Sequence, residues 1–196
     1  MVTLKTLKML EAFKLHSRLT FREIKRLSRQ KSNNAVQKAI RDFLKAGVLN
    51  KEKAGNVLLY SLNLKNSLTL AYLNLLNEEK IKYLQTITDS LKESLLKKTA
   101  FFILAVFGSY AKKTQSKNSD LDLAVITENK KDIVPILESF KRRELQKIDY
   151  HVFTEDEFKK MLREEQENLG KQIYKNSIIY YGYIQYINLI KDERPS

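Results

Sequence analysis

Residues 100–127 read AFFILAVFGSYAKKTQSKNSDLDLAVIT, and they decide the fold. Residues 100–107 form an unbroken apolar run of strand length, suited to a strand buried on both faces. The run ends in Gly108-Ser109. After the loop YAKKTQSKN, the segment SDLDLAVIT reads as a second strand. Asp120 and Asp122 stand two apart, so their carboxylates leave that strand on one face. Leu121, Leu123 and Val125 point the other way, into a core. Two carboxylates side by side on a pleated face repel by roughly 3 kcal/mol at ~5 Å and an effective dielectric of ~20. Aspartate is also a poor strand former, and like charges destabilise a sheet. A divalent cation removes the penalty, and hard oxygen ligands suit Mg2+ or Mn2+. A third carboxylate, Asp149, lies in QKIDYHVFT (146–154), which reads as a further strand. There Ile148, Tyr150 and Val152 face one side, Asp149 and His151 the other. For His151 a part in the site and a purely structural place both stay open.

The order of apolar strand, Gly-Ser, Asp-x-Asp and a later strand with a lone Asp resembles the DNA polymerase β nucleotidyltransferase superfamily. Within it, the minimal nucleotidyltransferases of archaea and bacteria are the nearest in pattern. The likeness rests on FGSYAKKTQSKNSDLDLAVIT and KIDYHVFT and covers about residues 100–155. It implies that Asp120, Asp122 and Asp149 are catalytic and hold Mg2+ or Mn2+, with Asp149 orienting or deprotonating the attacking hydroxyl. It implies that Gly108 lets the backbone approach a triphosphate. Ser109 and nearby amides would hold the terminal phosphates, with Lys112 and Lys113 contacting them from the loop. The reaction implied is transfer of a nucleoside monophosphate from an NTP, ATP being the expected one, with release of pyrophosphate. Relatives of the minimal type often act as antitoxins that nucleotidylate a partner toxin, so a protein hydroxyl is an implied acceptor. One departure stands out. Relatives usually place a basic residue and a glycine after the small residue of the loop, whereas this chain has Ala111-Lys112-Lys113-Thr114.

Working toward the N-terminus, charge becomes the main signal. The formal net charge is +13. Residues 1–66 hold 15 Lys/Arg against 4 Asp/Glu, so nearly all of the excess lies in the first third. A polyanion-binding face belongs there, the alternative being a solvated lysine-rich surface. Leu4, Leu7, Leu10 and Phe13 form one helical stripe. Thr20 to Glu23 is a capping box opening a helix over 20–28. Ser32-Asn33-Asn34 caps a helix over 33–46 that buries Val36, Ile40, Phe43 and Leu44, and Gly47 ends it. Two apolar runs around Ala54-Gly55-Asn56 predict a hairpin. Three helices followed by a hairpin resemble a winged helix-turn-helix over residues 1–65, in which the third helix enters the major groove of DNA. The residues this nominates for DNA are Asn33, Asn34, Gln37, Lys38 and Arg41 on the helix and Lys51 and Lys53 on the wing.

Residues 67–97 contain neither Gly nor Pro, and Leu68, Tyr72, Leu75, Leu76, Ile81, Leu84, Ile87, Leu91 and Leu95 recur at helical spacing. They predict one long connecting helix, or two with a break near Asn77, and offer a homodimer seam. Thr154 to Glu157 is another capping box, and the tail over 154–190 reads as helical. Its tyrosines Tyr174, Tyr180, Tyr181, Tyr183 and Tyr186 suit a core helix packed on the sheet or a subunit interface.

The expected fold is α+β. It comprises a winged helix domain over 1–65, a connecting helix over 66–98, and a nucleotidyltransferase domain over 99–196 with a mixed sheet flanked by helices. The chain has no cysteine, which excludes disulfides and thiolate metal sites. No signal peptide or run of ~20 apolar residues is legible, so the expectation is a soluble cytoplasmic protein with no membrane partner. Three functional readings follow: a nucleotide-transferring enzyme with a DNA-binding domain, a winged-helix regulator whose nucleotidyltransferase fold senses nucleotide or oligomerises, and an RNA-directed transferase.

Overall fold

The computed structural model describes residues 3–82, 84–116 and 119–193. The chain separates into two compact units, Met1–Leu76 and Asn77–Ser196.

The first unit opens with α1 (Leu4–Leu7), which passes into a 3-10 turn over Lys8–Ala12. The single stripe over residues 4–13 predicts a uniform helix, but the chain tightens after one turn. Leu7, Leu10 and Phe13 are nevertheless buried. Helix α2 (Phe21–Leu27) starts at the Thr20 cap, with both arms of the capping box made by Glu23. Its bond from the Thr20 hydroxyl and amide holds the Glu23 carboxyl below its ordinary range. Helix α3 (Asn33–Lys45) starts at Ser32 and buries Val36, Ala39, Ile40 and Phe43. It closes in a Schellman motif: Val48 N–H donates to Phe43 O at 2.8 Å and Gly47 N–H to Leu44 O at 3.0 Å. Gly47 has φ +68°, and a side chain there would meet Asn66 Nδ2 at 2.8 Å. Strands β1 (Leu49–Ala54) and β2 (Val57–Leu62) form an antiparallel hairpin with a Gly55-Asn56 loop. Leu19 and Tyr60 add a bridge beside β2, exchanging backbone bonds of 2.8 Å in each direction.

The predicted connecting helix is two helices, α4 (Ser67–Ile81) and α5 (Gln85–Leu96). The break falls some five residues beyond Asn77. Asn77 is itself buried, and its Nδ2 donates to Ile179 O at 2.6 Å, so the helix continues through a satisfied polar group. Leu76, Ile81, Leu84, Leu91 and Leu95 are buried, whereas Leu68 and Leu75 are exposed. The side chain of Ile87 lies outside the described residues.

The second unit is built on a four-stranded sheet in the order β5-β4-β3-β6. Strand β3 (Ile103–Val106) runs antiparallel to β4 (Leu121–Ile126), and β4 runs parallel to β5 (Ile148–Phe153). Helix α6 (Gly108–Lys112) follows β3, and α7 (Lys130–Arg143) crosses from β4 to β5. One sheet face buries Leu104, Val106, Leu121, Leu123, Val125 and Ile148 with Leu91 and Leu95 of α5 and Ile133, Leu137 and Phe140 of α7.

The tail departs from the all-helical expectation. Helices α8 (Glu155–Arg163) and α9 (Leu169–Asn176) are followed by strand β6 (Ile178–Tyr181), then α10 (Tyr183–Ile190). Ile178-Ile179-Tyr180-Tyr181 is a β-branched and aromatic run bounded by Ser177 and Gly182, which is strand chemistry embedded in a helical pattern. It pairs antiparallel with β3. Gly182 turns the corner at φ +78°, where a Cβ would lie 2.7 Å from Phe102 O. Tyr180 and Tyr186 are buried. Tyr180 donates to Asp89 Oδ1 at 2.6 Å, and burial with that carboxylate pushes its phenol up to about 12.

Candidate active site

Strand pairing brings the predicted acidic residues to one edge of the sheet. In the parallel β4–β5 ladder Asp122 lies directly opposite Asp149. Two residues further, the ladder sets Ala124 opposite His151. The His151 Nε2 lies 3.4 Å from Asp149 Oδ2, and its ring is parallel to Phe153 at 6.2 Å between centroids. Asp120 stands just before the first residue of β4 and is exposed. Among the described residues no three His, Asp or Glu side chains are grouped to hold a metal ion. The strand register thus brings together one pair of the three, Asp122 with Asp149, while Asp120 flanks it along the chain.

The electrostatics centre on Asp122. Its carboxyl is held above the ordinary value of 3.8, first by burial, then by the charges of Asp149 and Asp120. His151 and a backbone N–H bond from Ser109 act in the opposite direction. The Asp120–Asp122 repulsion anticipated from spacing is present but ranks below desolvation, a contribution that only the fold determines.

Gly108 completes this corner. Phe107 N–H donates to Asp122 O at 3.0 Å, extending the β3–β4 ladder and bringing the next residue against the Asp122 side chain. A Cβ on Gly108 would lie 1.8 Å from Asp122 Oδ2, and its φ is +63°. Position 108 therefore excludes a side chain on two independent grounds, space and backbone conformation. Ser109 is half-buried; Lys112 and Lys113 are exposed. Lys113 occupies the position where relatives usually have glycine, and it adopts the left-handed conformation itself, with φ 59° and ψ 35°. A lysine thus makes this left-handed turn at the end of α6.

Beyond Asp149, a cavity of about 310 Å3 is lined by Asp120, Lys141, Glu144, Leu145, Gln146, Lys147, Ile148 and Asp149. Gln146 Nε2 donates to Ser119 O at 2.5 Å and Leu121 N–H to Lys147 O at 2.8 Å. Residues 146–147 thereby tie down the backbone on both sides of Asp120. Gln146 carries no sequence signal, because its role exists only through this cross-strand contact. Lys141 Nζ sits 5.7 Å over the Tyr150 ring, whose hydroxyl donates to Glu138.

In the first unit, Asn33, Asn34, Gln37, Lys38 and Arg41 of α3 and Lys51 and Lys53 of β1 all have exposed side chains. Arg18 pairs with Glu52 at 3.3 Å on the hairpin.

A family model described as polymerase beta, nucleotidyltransferase matches residues 85–183, about half of the chain. The match spans β3, α6, β4, β5 and β6 and so includes Gly108 and all three aspartates. No curated protein and no solved structure matches the chain. Among the described residues no helix is long and apolar enough to cross a membrane.

Proposed function

The chain belongs to the polymerase beta nucleotidyltransferase family, and from that premise we propose that it moves a nucleoside monophosphate from an NTP, ATP first, to an acceptor hydroxyl. The observation that carries this reading is the Gly108–Asp122–Asp149 corner. A glycine that tolerates no side chain faces a carboxylate whose charge is raised in energy by burial and by a register partner. Such a juxtaposition costs folding free energy and is the kind of local conflict expected at a functional site.

The donor set is all oxygen, the chemistry a hard divalent cation takes, with Asp122 and Asp149 opposite each other in register and Asp120 on the adjoining backbone. Asp120, Asp122 and Asp149 would hold Mg2+ or Mn2+, which supplies charge neutralisation for both oxygens of an in-line displacement. The chain's own residues do the rest. Gly108 lets the Asp122 carboxylate lie against the β3–α6 corner, and Ser109 with Lys112 and Lys113 binds the triphosphate there. The acceptor oxygen forms a bond to the α-phosphorus, the α–β bridging P–O bond breaks, and pyrophosphate leaves. The acceptor's proton passes to the Asp149 carboxylate. An in-line geometry needs the acceptor opposite the leaving pyrophosphate. The acceptor is proposed to enter by the cavity that Asp149 shares with Lys141 and Lys147, beside β5 and two strands from the β3–α6 corner. A protein hydroxyl, as on a partner toxin, is the acceptor class we favour.

The first unit is proposed to be a winged helix that binds DNA, supported by the helix–helix–helix–hairpin order and by its charge excess. A domain plan of 1–65, 66–98 and 99–196 goes with this reading. A regulator that uses the second unit only as a nucleotide sensor or oligomerisation unit is the competing account, favoured by the same charge excess.

The deciding experiment incubates wild type and Asp120→Asn/Asp122→Asn with α-32P NTPs, Mg2+ or Mn2+ and host lysate. The expected result is a labelled macromolecule formed by wild type alone. Metal-dependent nucleotide binding with no label from any NTP would overturn turnover and support the sensor.

A further inference from the structure

Helix α2 carries a groove of about 490 Å3 lined by Phe21, Arg22, Lys25, Arg26, Arg29, Gln30 and Asn33. Four cations and no acid face it. Arg22, Arg26 and Arg29 are exposed and follow each other at helical spacing of four and three. Among the described residues no ion pair engages Arg22, Lys25, Arg26 or Arg29. Like charges at these spacings disfavour the helix that carries them.

A second, independent cost sits at Arg29. Its φ is +54°, in the left-handed region that favours glycine. Arg29 N–H donates to Arg26 O and Gln30 N–H to Lys25 O, each at 3.1 Å. This is the same Schellman closure that ends α3, where the equivalent position is Gly47. Within one unit, the same turn is thus made once with glycine and once with arginine. Backbone conformation and helix-surface repulsion both argue against arginine there. Its guanidinium, however, completes the cationic lining of the groove.

We propose that this groove grips the phosphate backbone of duplex DNA, next to the α3 residues named above for base contact. The proposal rests on the reading of the first unit as DNA-binding. Three arginines strung along α2 and the turn that closes it match a row of phosphates better than a single phosphate. Planar forked donors suit phosphate oxygens, and Gln30 and Asn33 add neutral donors of the kind that contact backbone oxygens. Asn33 belongs both to the groove and to the first turn of α3, so the two surfaces are continuous. Backbone contacts set register and orientation; the α3 side chains read sequence.

The test measures binding of the full chain to labelled duplexes of several sequences by anisotropy, between about 50 and 200 mM salt. Wild type is compared with Arg29→Gly, with Arg22→Gln/Arg26→Gln, and with Gln37→Ala/Arg41→Ala on α3. For Arg29→Gly the expected result is a higher midpoint of thermal unfolding together with weaker DNA binding, a pairing that damage to the fold does not produce. The slope of log affinity against log salt should shrink by about one per cation removed, equally on every duplex. The α3 variant should instead lose discrimination between duplexes. Unchanged affinity and slope in both groove variants, with binding lost in the α3 variant, would overturn the groove and leave DNA binding intact. Failure of wild type to bind any duplex, or a preference for RNA over duplex DNA, would overturn the DNA reading and the groove with it.

Discussion

The two units handle charge in opposite ways. In Met1–Leu76, 15 Lys/Arg stand against 4 Asp/Glu, and the cations lie on exposed helix and hairpin surfaces. In Asn77–Ser196, 21 stand against 19, yet this near-balanced unit holds the costliest charge arrangement, three aspartates at one sheet edge. Net charge therefore locates a cationic surface. It says nothing about where chemistry occurs, because a reaction centre depends on a few groups forced together. The first unit spreads like charges in water, where each pair costs little. The second half-buries one carboxylate beside two others, where the cost is larger.

That contrast can be broken from the second unit first. Asp149→Asn is expected to reduce nucleotide transfer by more than the about 10–100-fold typical of losing an outer-shell partner, with duplex binding unchanged. A parallel loss of DNA binding would show that the units do not divide the work in this way. Gly108→Ala should abolish transfer and lower the unfolding midpoint. The left-handed backbone alone costs about 1–2 kcal/mol, and the collision with Asp122 adds to it. Leu123→Ala, beneath the same strand, should cost about 2–5 kcal/mol in denaturant unfolding.

Asp122→Asn sharpens the comparison with a smaller effect of opposite sign. The folded Asp122 carboxyl titrates above its ordinary 3.8, so the native state binds a proton more readily than the unfolded chain. Stability from this group is present at acid pH and is lost as pH rises through the folded value. The Asn variant should therefore be more stable than wild type at neutral pH, with the advantage vanishing below about pH 3.8. Thermal unfolding at several pH values checks this; an Asn variant less stable at pH 7 contradicts it. The smallest effect is expected for Lys113→Gly, which removes left-handed strain and should stabilise by up to about 1 kcal/mol.

Much of this architecture was legible beforehand. The capping boxes at Thr20 and Thr154, the Ser32 cap and the Gly47 stop are local, short-range chemistry, and each appears where its residues stand. The strands carrying Asp122 and Asp149 were likewise visible from alternation. The misreadings share a cause. The apolar tail predicts helix over Ile178–Tyr181, residues that can pack in either form, and pairing with β3 decides for strand. The α4–α5 break fell later than expected because a bond from Asn77 to Ile179, over a hundred residues away, satisfies the polar group that suggested it. The charge count over residues 1–66 carries no sign of the groove beside α2, since a cavity needs neighbouring surfaces.

By itself the sequence determined the element types around the carboxylates, the family, and the concentration of positive charge in the first unit, because these follow from spacing and composition. Tertiary structure alone decided that Asp122 faces Asp149 in register, that Gly108 has no room for a methyl group, and that Gln146 steadies Asp120. Each of these is a contact between segments far apart in the chain. Such contacts depend on strand order and register, which periodicity along one segment does not encode.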